Sequence, residues 1–189
     1  MIQGVIFDLD GTLLNTLDDL CDSTNYALKQ FGYPARTLDE VRSFVGNGVK
    51  KLIERAIPNG CANENFEKCL AVFKEHYKQN MYNKTAPYSG VLNMLKELRI
   101  KGIKIAVVSN KFDTAVKELC KKYFGDLVQV AIGENEAAGV RKKPAPDSVF
   151  KAMQDLKLSV EDVIYVGDSE TDVQTAKNAK IDCIGCTWG

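Results

Sequence analysis

The sequence predicts an α/β fold: a Rossmann-like parallel sheet core with an inserted all-helical cap domain. Two observations lead there. Short apolar runs rich in β-branched residues alternate with longer amphipathic ones, the pattern of strands joined by helical crossovers. That alternation stops between residues 14 and 85, where helical patterns follow one another without a convincing strand. A crossover needs only a dozen or so residues, so a stretch of about seventy reads as an insertion. The expected domains are a core of residues 1–13 and 86–189 and a helical cap domain of residues 14–85.

Taken in order, the first strand is Gly4–Asp8, apolar until it meets its aspartate. In the insertion, Thr16–Phe31 reads as a helix closed by Gly32, with Pro34 just beyond. Thr37–Val45, Val49–Ile57 and Glu64–Tyr82 follow as three more helices. After it, Val91–Ile100 carries Leu92, Leu95 and Leu98 at helical spacing and ends before Gly102. The remaining strands are Ile103–Ser109, Leu127–Ile132, Val163–Gly167 and Ile181–Gly185, with helices at Thr114–Tyr123, Asp147–Leu156 and Thr171–Ala179. In such open sheets, ligands bind beyond the carboxyl ends of the strands.

Composition excludes several classes. The 189 residues suit one compact domain carrying a smaller one. With 45% hydrophobic and 26% charged residues the chain is not disordered. Lys plus Arg and Asp plus Glu both count 25, so no global field draws nucleic acid or an anionic membrane. An anionic substrate must then be handled by local charge and a metal. No apolar run approaches the roughly 18 residues of a membrane helix, and the start MIQGVIFDLD lacks a signal-peptide pattern. The expected location is cytoplasmic, with reduced thiols, as a monomer or homodimer.

Four clusters carry chemistry. Asp8 and Asp10 follow the strand Val5–Phe7, and Gly11 lets the backbone turn close to a ligand. A D-x-D-G turn alone is equally compatible with a plain loop. Phosphoryl transfer wants this arrangement, because a carboxylate and a phosphate at 4 Å repel by about 4 kcal/mol at an effective dielectric near 20. Mg²⁺ between them offsets that repulsion and needs only a few oxygen ligands. An attacking aspartate splits one hard hydrolysis into two easier steps, and a second acid protonates the leaving oxygen. Ser109 and Asn110 close IAVVSN, where they can donate to phosphate oxygens or simply form a turn. Lys143 precedes Pro144 and Pro146 in a loop that can hold an ammonium inward, whereas Arg141 and Lys142 read as a solvated basic pair. Asp168 and Asp172 follow another apolar strand and share a helix face at i and i+4. Helix capping by Asp168 is the competing reading, and it is compatible with metal binding.

The order of these clusters resembles the haloacid dehalogenase superfamily, in its phosphatase branch with a helical cap after the first strand. DLDGTLLNT resembles the first motif, SN the second, KPAPD the third and GDSETD the fourth, over essentially the whole chain. The resemblance implies Asp8 as nucleophile and Mg²⁺ ligand, and Asp10 as acid/base holding the metal through its carbonyl. It implies Ser109 and Asn110 as phosphate binders and Lys143 as the charge linking nucleophile and phosphate. Asp168 would ligate the metal and Asp172 support the metal's waters. SFVGNGVKKLIERA, APYSGVLNMLKEL and GCTWG are most similar to the phosphoglycolate phosphatase group, in which Gly46, Asn47 and Gly48 would form a loop closing over the substrate. The expected partner is therefore a small-molecule phosphate ester. Sugar phosphates and pyrophosphate remain alternatives, as does a β-phosphoglucomutase-like isomerase, though that branch usually carries a histidine early in the cap. A non-enzymatic relative would be expected to lose at least one of Asp8, Asp10, Lys143 or Asp168. Members of the group usually continue past a TWG-like end. Lys50 and Lys51 read as a solvated helix face, His76 as non-catalytic, and Cys183-x-x-Cys186, with no second pair, as neither zinc nor redox site.

Overall fold

Pairing on both sides of the first strand decides the layout of the core. The computed structural model describes residues 1–135 and 139–189. The chain divides into two compact units, Met1–Asn15 with Pro87–Gly189, and Thr16–Ala86.

In the first unit five strands form one sheet: β1 (Gly4–Phe7), β2 (Lys104–Phe112), β3 (Val130–Glu134), β4 (Val163–Gly167) and β5 (Asp182–Gly185). Their order is β3-β2-β1-β4-β5, and every neighbouring pair is parallel. The chain moves outward from β1 to β3 and then crosses back to β4. Right-handed crossovers therefore place helices α5 (Val91–Ile100) and α6 (Asp113–Phe124) on one face, and α7 (Asp147–Leu156) and α8 (Glu170–Ala179) on the other. Side chains alternate along β1. Ile6 packs with Ala106, Val108, Val149, Met153 and Ala176 on the α7–α8 side, while Val5 and Phe7 are buried on the other. A strand buried on both faces reads as a continuous apolar run, which is why GVIF is legible as one.

Strand boundaries differ from the expected ones by a residue at β1 and β5 and by more at β2 and β3. β2 runs past Ser109 to Phe112, because a register shift after Val108 lets Phe112 pair with Glu134 of β3. β3 begins at Val130 rather than Leu127, since Gly125–Leu127 continues the end of α6 as a 3-10 turn. The expected helices Thr114–Tyr123 and Thr171–Ala179 each gain a residue or two at their ends.

The second unit holds helices α1 (Leu17–Gln30), α2 (Leu38–Phe44), α3 (Val49–Ala56) and α4 (Phe66–Asn80). Leu20, Leu28, Val41, Ile53, Phe73 and Tyr77 are among its buried side chains. Thr37 caps α2 in a reciprocal box with Glu40, a feature worth about 1 kcal/mol. The buried Asp19 accepts from the backbone N–H groups of Lys84 and Thr85 and from the Thr85 hydroxyl, tying the start of α1 to the segment after α4. Among the described residues no helix is long and apolar enough to cross a membrane. All six cysteines are free thiols; Cys21, Cys69 and Cys120 are buried and Cys61 is exposed.

Candidate active site

Asp8 follows β1 in phase with Ile6, so its side chain leaves the sheet on the face packed by α7 and α8. Those two helices bring the rest of the cluster. Lys143, in the loop before α7, places Nζ 2.7 Å from Asp8 Oδ1 and 2.7 Å from Asp172 Oδ1. It also donates to the Tyr165 hydroxyl at 3.2 Å, and that hydroxyl donates to Asp172 Oδ1 at 3.0 Å. The ammonium is thus held from three sides in a site where Asp8, Lys143 and Asp172 are 7%, 4% and 0% exposed.

The capping reading of Asp168 is corrected here. Ser169 is the N-cap of α8, in a box with Asp172 at N3. Asp172 Oδ2 accepts from the Ser169 N–H and hydroxyl, which leaves Oδ1 turned to Lys143 and Tyr165. Asp168, one residue before the cap, accepts instead from the Thr12 hydroxyl at 2.8 Å. Two glycines make room for these carboxylates. A Cβ on Gly11, whose φ is +86°, would overlap Asp168 Oδ2, and one on Gly167 would overlap the Asp172 side chain.

Ser109 and Asn110 lie at the neighbouring strand, both buried. The amide of Asn110, expected at the phosphate, also engages the Lys143 backbone. It donates to the Lys143 carbonyl at 3.0 Å and accepts from the Lys143 N–H at 2.8 Å. Asp10 is less buried, with Oδ1 3.0 Å from the ammonium of Lys111. Arg141 is exposed and paired with Asp147, as a solvated residue should be.

Electrostatics follow from this crowding. Burial pushes the Asp8 carboxyl up to about 8; Lys143 opposes the shift, and Asp172 and Asp10 add to it. Burial alone would lower Lys143, but Asp8, Tyr165 and Asp172 outweigh it and hold the ammonium charged. Asp172 is also penalised by burial, yet Lys143 and Ser169 keep its carboxyl below the usual range. Burial raises Asp168, against the Thr12 hydrogen bond.

The donor set fits a hard divalent cation. Asp8, Asp168 and Asp172 each present a carboxylate oxygen, all within 4.8 Å of one another. Asp8 Oδ1 is buried and, beyond its ion pair, has no hydrogen-bond partner among the described residues. Four carboxylates face two ammonium groups, an excess of two formal negative charges that an oxygen-preferring dication would neutralise.

Comparison with known proteins places this geometry. Residues 5–186 match the family model of haloacid dehalogenase-like hydrolases. The chain belongs to the haloacid dehalogenase-like hydrolase family. A phosphoglycolate phosphatase of Pseudomonas putida is 34% identical over 98% of this chain and 69% of its own length. One from Aquifex aeolicus is 33% identical over 100% of this chain and 86% of its own. A solved structure from Lactobacillus delbrueckii subsp. bulgaricus, described as a candidate phosphoglycolate phosphatase, superposes with a TM-score of 0.93 at 36% identity, covering 99% of this chain and 87% of that one.

Within this haloacid dehalogenase-like hydrolase, the structure brings Asp8, Lys143, Asp168 and Asp172 into one cluster. Gly46, Asn47 and Gly48 belong to the helical unit, where they join α2 to α3 with Asn47 accepting from Arg55 at 2.9 Å. Lys51 pairs with Glu54 at 2.7 Å and Lys50 lies 4.0 Å from Glu67, so both sit on a solvated face. His76 stacks on Tyr26 and bonds Ser23. Sequence reading missed Tyr165, Thr12 and Lys111. The signal for one of them was strand parity: Tyr165 is in phase with the close-packed Gly167.

Proposed function

We propose that this chain hydrolyses a small phosphate monoester with Mg²⁺ through an aspartyl phosphate on Asp8, with 2-phosphoglycolate as substrate. The chain is a phosphoric monoester hydrolase, as its family and its relatives make plain. The single observation that carries the finer reading is the buried Asp8–Lys143–Asp172 cluster beside Asp168. A carboxylate is a useful nucleophile for phosphorus only if its charge and the phosphate's are countered, and this cluster is built around such countercharge.

In this reading an Asp8 oxygen attacks phosphorus as the P–O ester bond breaks, and Asp10 gives a proton to the departing oxygen. Asp10 then takes a proton from water, which attacks the phosphorus of the aspartyl phosphate, freeing inorganic phosphate and restoring Asp8. Lys143 balances charge on the nucleophile and the transferred group. Ser109 donates to a phosphate oxygen, while Asn110 acts through its two-way clamp on Lys143. Asp8 and Asp168 would hold Mg²⁺ together with the Asp10 carbonyl, and Asp172 would orient Lys143 and the metal's waters. Bound there, the cation would offset the repulsion between nucleophile and phosphate and stabilise charge in the transition state. Gly46, Asn47 and Gly48 are assigned as substrate-contacting residues; shape and backbone donors, not charge, are what that loop offers.

Phosphate release from 2-phosphoglycolate, from hexose phosphates and from an aryl phosphate, each with Mg²⁺ and with chelator, tests the reading. The expected result is metal-dependent turnover fastest on 2-phosphoglycolate, with Asp8→Asn slower by at least about 10³-fold. Chelator-insensitive turnover, or an active Asp8→Asn protein, overturns the mechanism; faster turnover of another ester overturns the substrate.

A further inference from the structure

We propose that Lys111 is a positioning residue for Asp10, holding its carboxylate for proton transfer to the leaving group. Among the described residues only two lysines are buried, Lys111 and Lys143. Each takes one of the two aspartates of the first motif: Lys143 lies 2.7 Å from Asp8 and Lys111 3.0 Å from Asp10. Lysine ordinarily keeps its ammonium in water by extending its stem. Here the Lys111 side chain is 2% exposed while its partner Asp10 is 23% exposed, so the cation is the buried member and the acid faces outward.

The backbone explains how it gets there. β2 does not stop at Ser109 but continues to Phe112, and the register shift between Val108 and Phe112 adapts its end to β3. Lys111 lies within this irregular stretch, and its N–H donates to the Ser109 hydroxyl at 3.2 Å. Three consecutive residues thereby carry three tasks: Ser109 is the proposed phosphate donor, Asn110 clamps Lys143, and Lys111 anchors Asp10. A buried ion pair is weak evidence of a stability role, since apolar side chains of similar volume serve as well or better. Anchoring one oxygen of a partly exposed carboxylate does restrict its rotation, and general acid catalysis depends on that orientation.

This inference rests on the reading of Asp10 as the acid, so the test separates the two. The value of kcat/KM reports steps up to P–O cleavage, and a 4-nitrophenolate leaving group needs little protonation whereas an alkoxide needs much. Lys111→Met should lower kcat/KM on an alkyl phosphate by about 10- to 100-fold, a share of the 10²–10⁴ typical of general acid–base catalysis. On 4-nitrophenyl phosphate the loss should stay under about threefold, and Asp10→Asn should show the same split, larger. Lys111→Arg should recover most of the alkyl activity, and adding Lys111→Met to Asp10→Asn should cost little more. Equal losses on both substrates, or a loss confined to KM, overturn the role of Lys111. If Asp10→Asn itself shows no split, the reading of Asp10 falls instead. Should Lys111→Met fail to fold, Lys111→Arg carries the test: its residual deficit must be greater on the alkyl ester than on the aryl one, and equal deficits overturn the proposal.

Discussion

Removing the charge of Lys143 while keeping its bulk, as in Lys143→Met, should destabilise this protein far more than removing the charge of Asp8. The ammonium is 4% exposed and lies 2.7 Å from each of two carboxylates, Asp8 and Asp172, themselves buried. Breaking a buried pair from one side costs about 3–5 kcal/mol, because the partner is left charged and unpaired. Of its two partners Asp172 is the one left charged, since the Asp8 carboxyl is pushed up to about 8 by burial, so that range applies. Against a total of about 5–15 kcal/mol, this is about a fifth or more of the stability. At roughly 2–4 °C per kcal/mol for a chain of this size, Tm should fall by about 6–20 °C. The reverse substitution is different. Asp8→Asn leaves Lys143 its 2.7 Å contact with Asp172, and the carboxyl of Asp8 already favours its neutral form, pushed up to about 8 by burial. Its stability in chelator should stay within about 1 kcal/mol of the parent, like an ordinary substitution. The double variant should then stay within about 1 kcal/mol of Lys143→Met, since a protonated Asp8 adds no unpaired charge. Urea titration in chelator near neutral pH, followed by far-ultraviolet circular dichroism, reads all four proteins. A Lys143→Met protein within about 1 kcal/mol of the parent, or a double variant more stable than that single one by well over about 1 kcal/mol, would refute the reasoning.

Two further predictions follow from the same cluster. Between the ordinary carboxyl value of 3.8 and about 8, folded Asp8 binds more protons than unfolded Asp8, so its contribution to stability declines as pH rises through that window. Asp8→Asn should remove that decline from a plot of unfolding free energy against pH in chelator; an unchanged slope contradicts it. Gly167→Ala would drive a methyl into the Asp172 side chain. It should cost about 1–3 kcal/mol by calorimetry and displace Lys143, lowering kcat; a fully active, equally stable variant would show that the strand does not hold Asp172 by close approach.

Legibility differed by element. Val91–Ile100, Asp147–Leu156 and Val163–Gly167 were readable to the residue, because local hydrophobic period and flanking glycine or proline agree with the tertiary outcome. The end of β2 was not, because a register shift against β3 set it, nor was the start of β3, where a 3-10 turn continues α6. Among site residues, Asp8, Asp168 and Lys143 were legible from their places at strand ends and before a helix. The tie made by Asn110 was not: its amide, read as a phosphate donor, also bonds the backbone of Lys143, 33 residues away.

By itself, the sequence determined the order of strands and helices, the helical insertion, the aspartates after the first strand and the chemistry such residues permit. These are properties of local periodicity and of residue type, which the chain carries wherever it folds. Only the tertiary structure decided which cation meets which acid. Sequence reading favoured Lys143 itself and the residue before Lys111, yet only parallel pairing and the packing of α7 and α8 bring Lys111 to Asp10 and Lys143 between Asp8 and Asp172. Ion pairing acts over a few ångströms in space, whatever the separation along the chain, and so it is settled last.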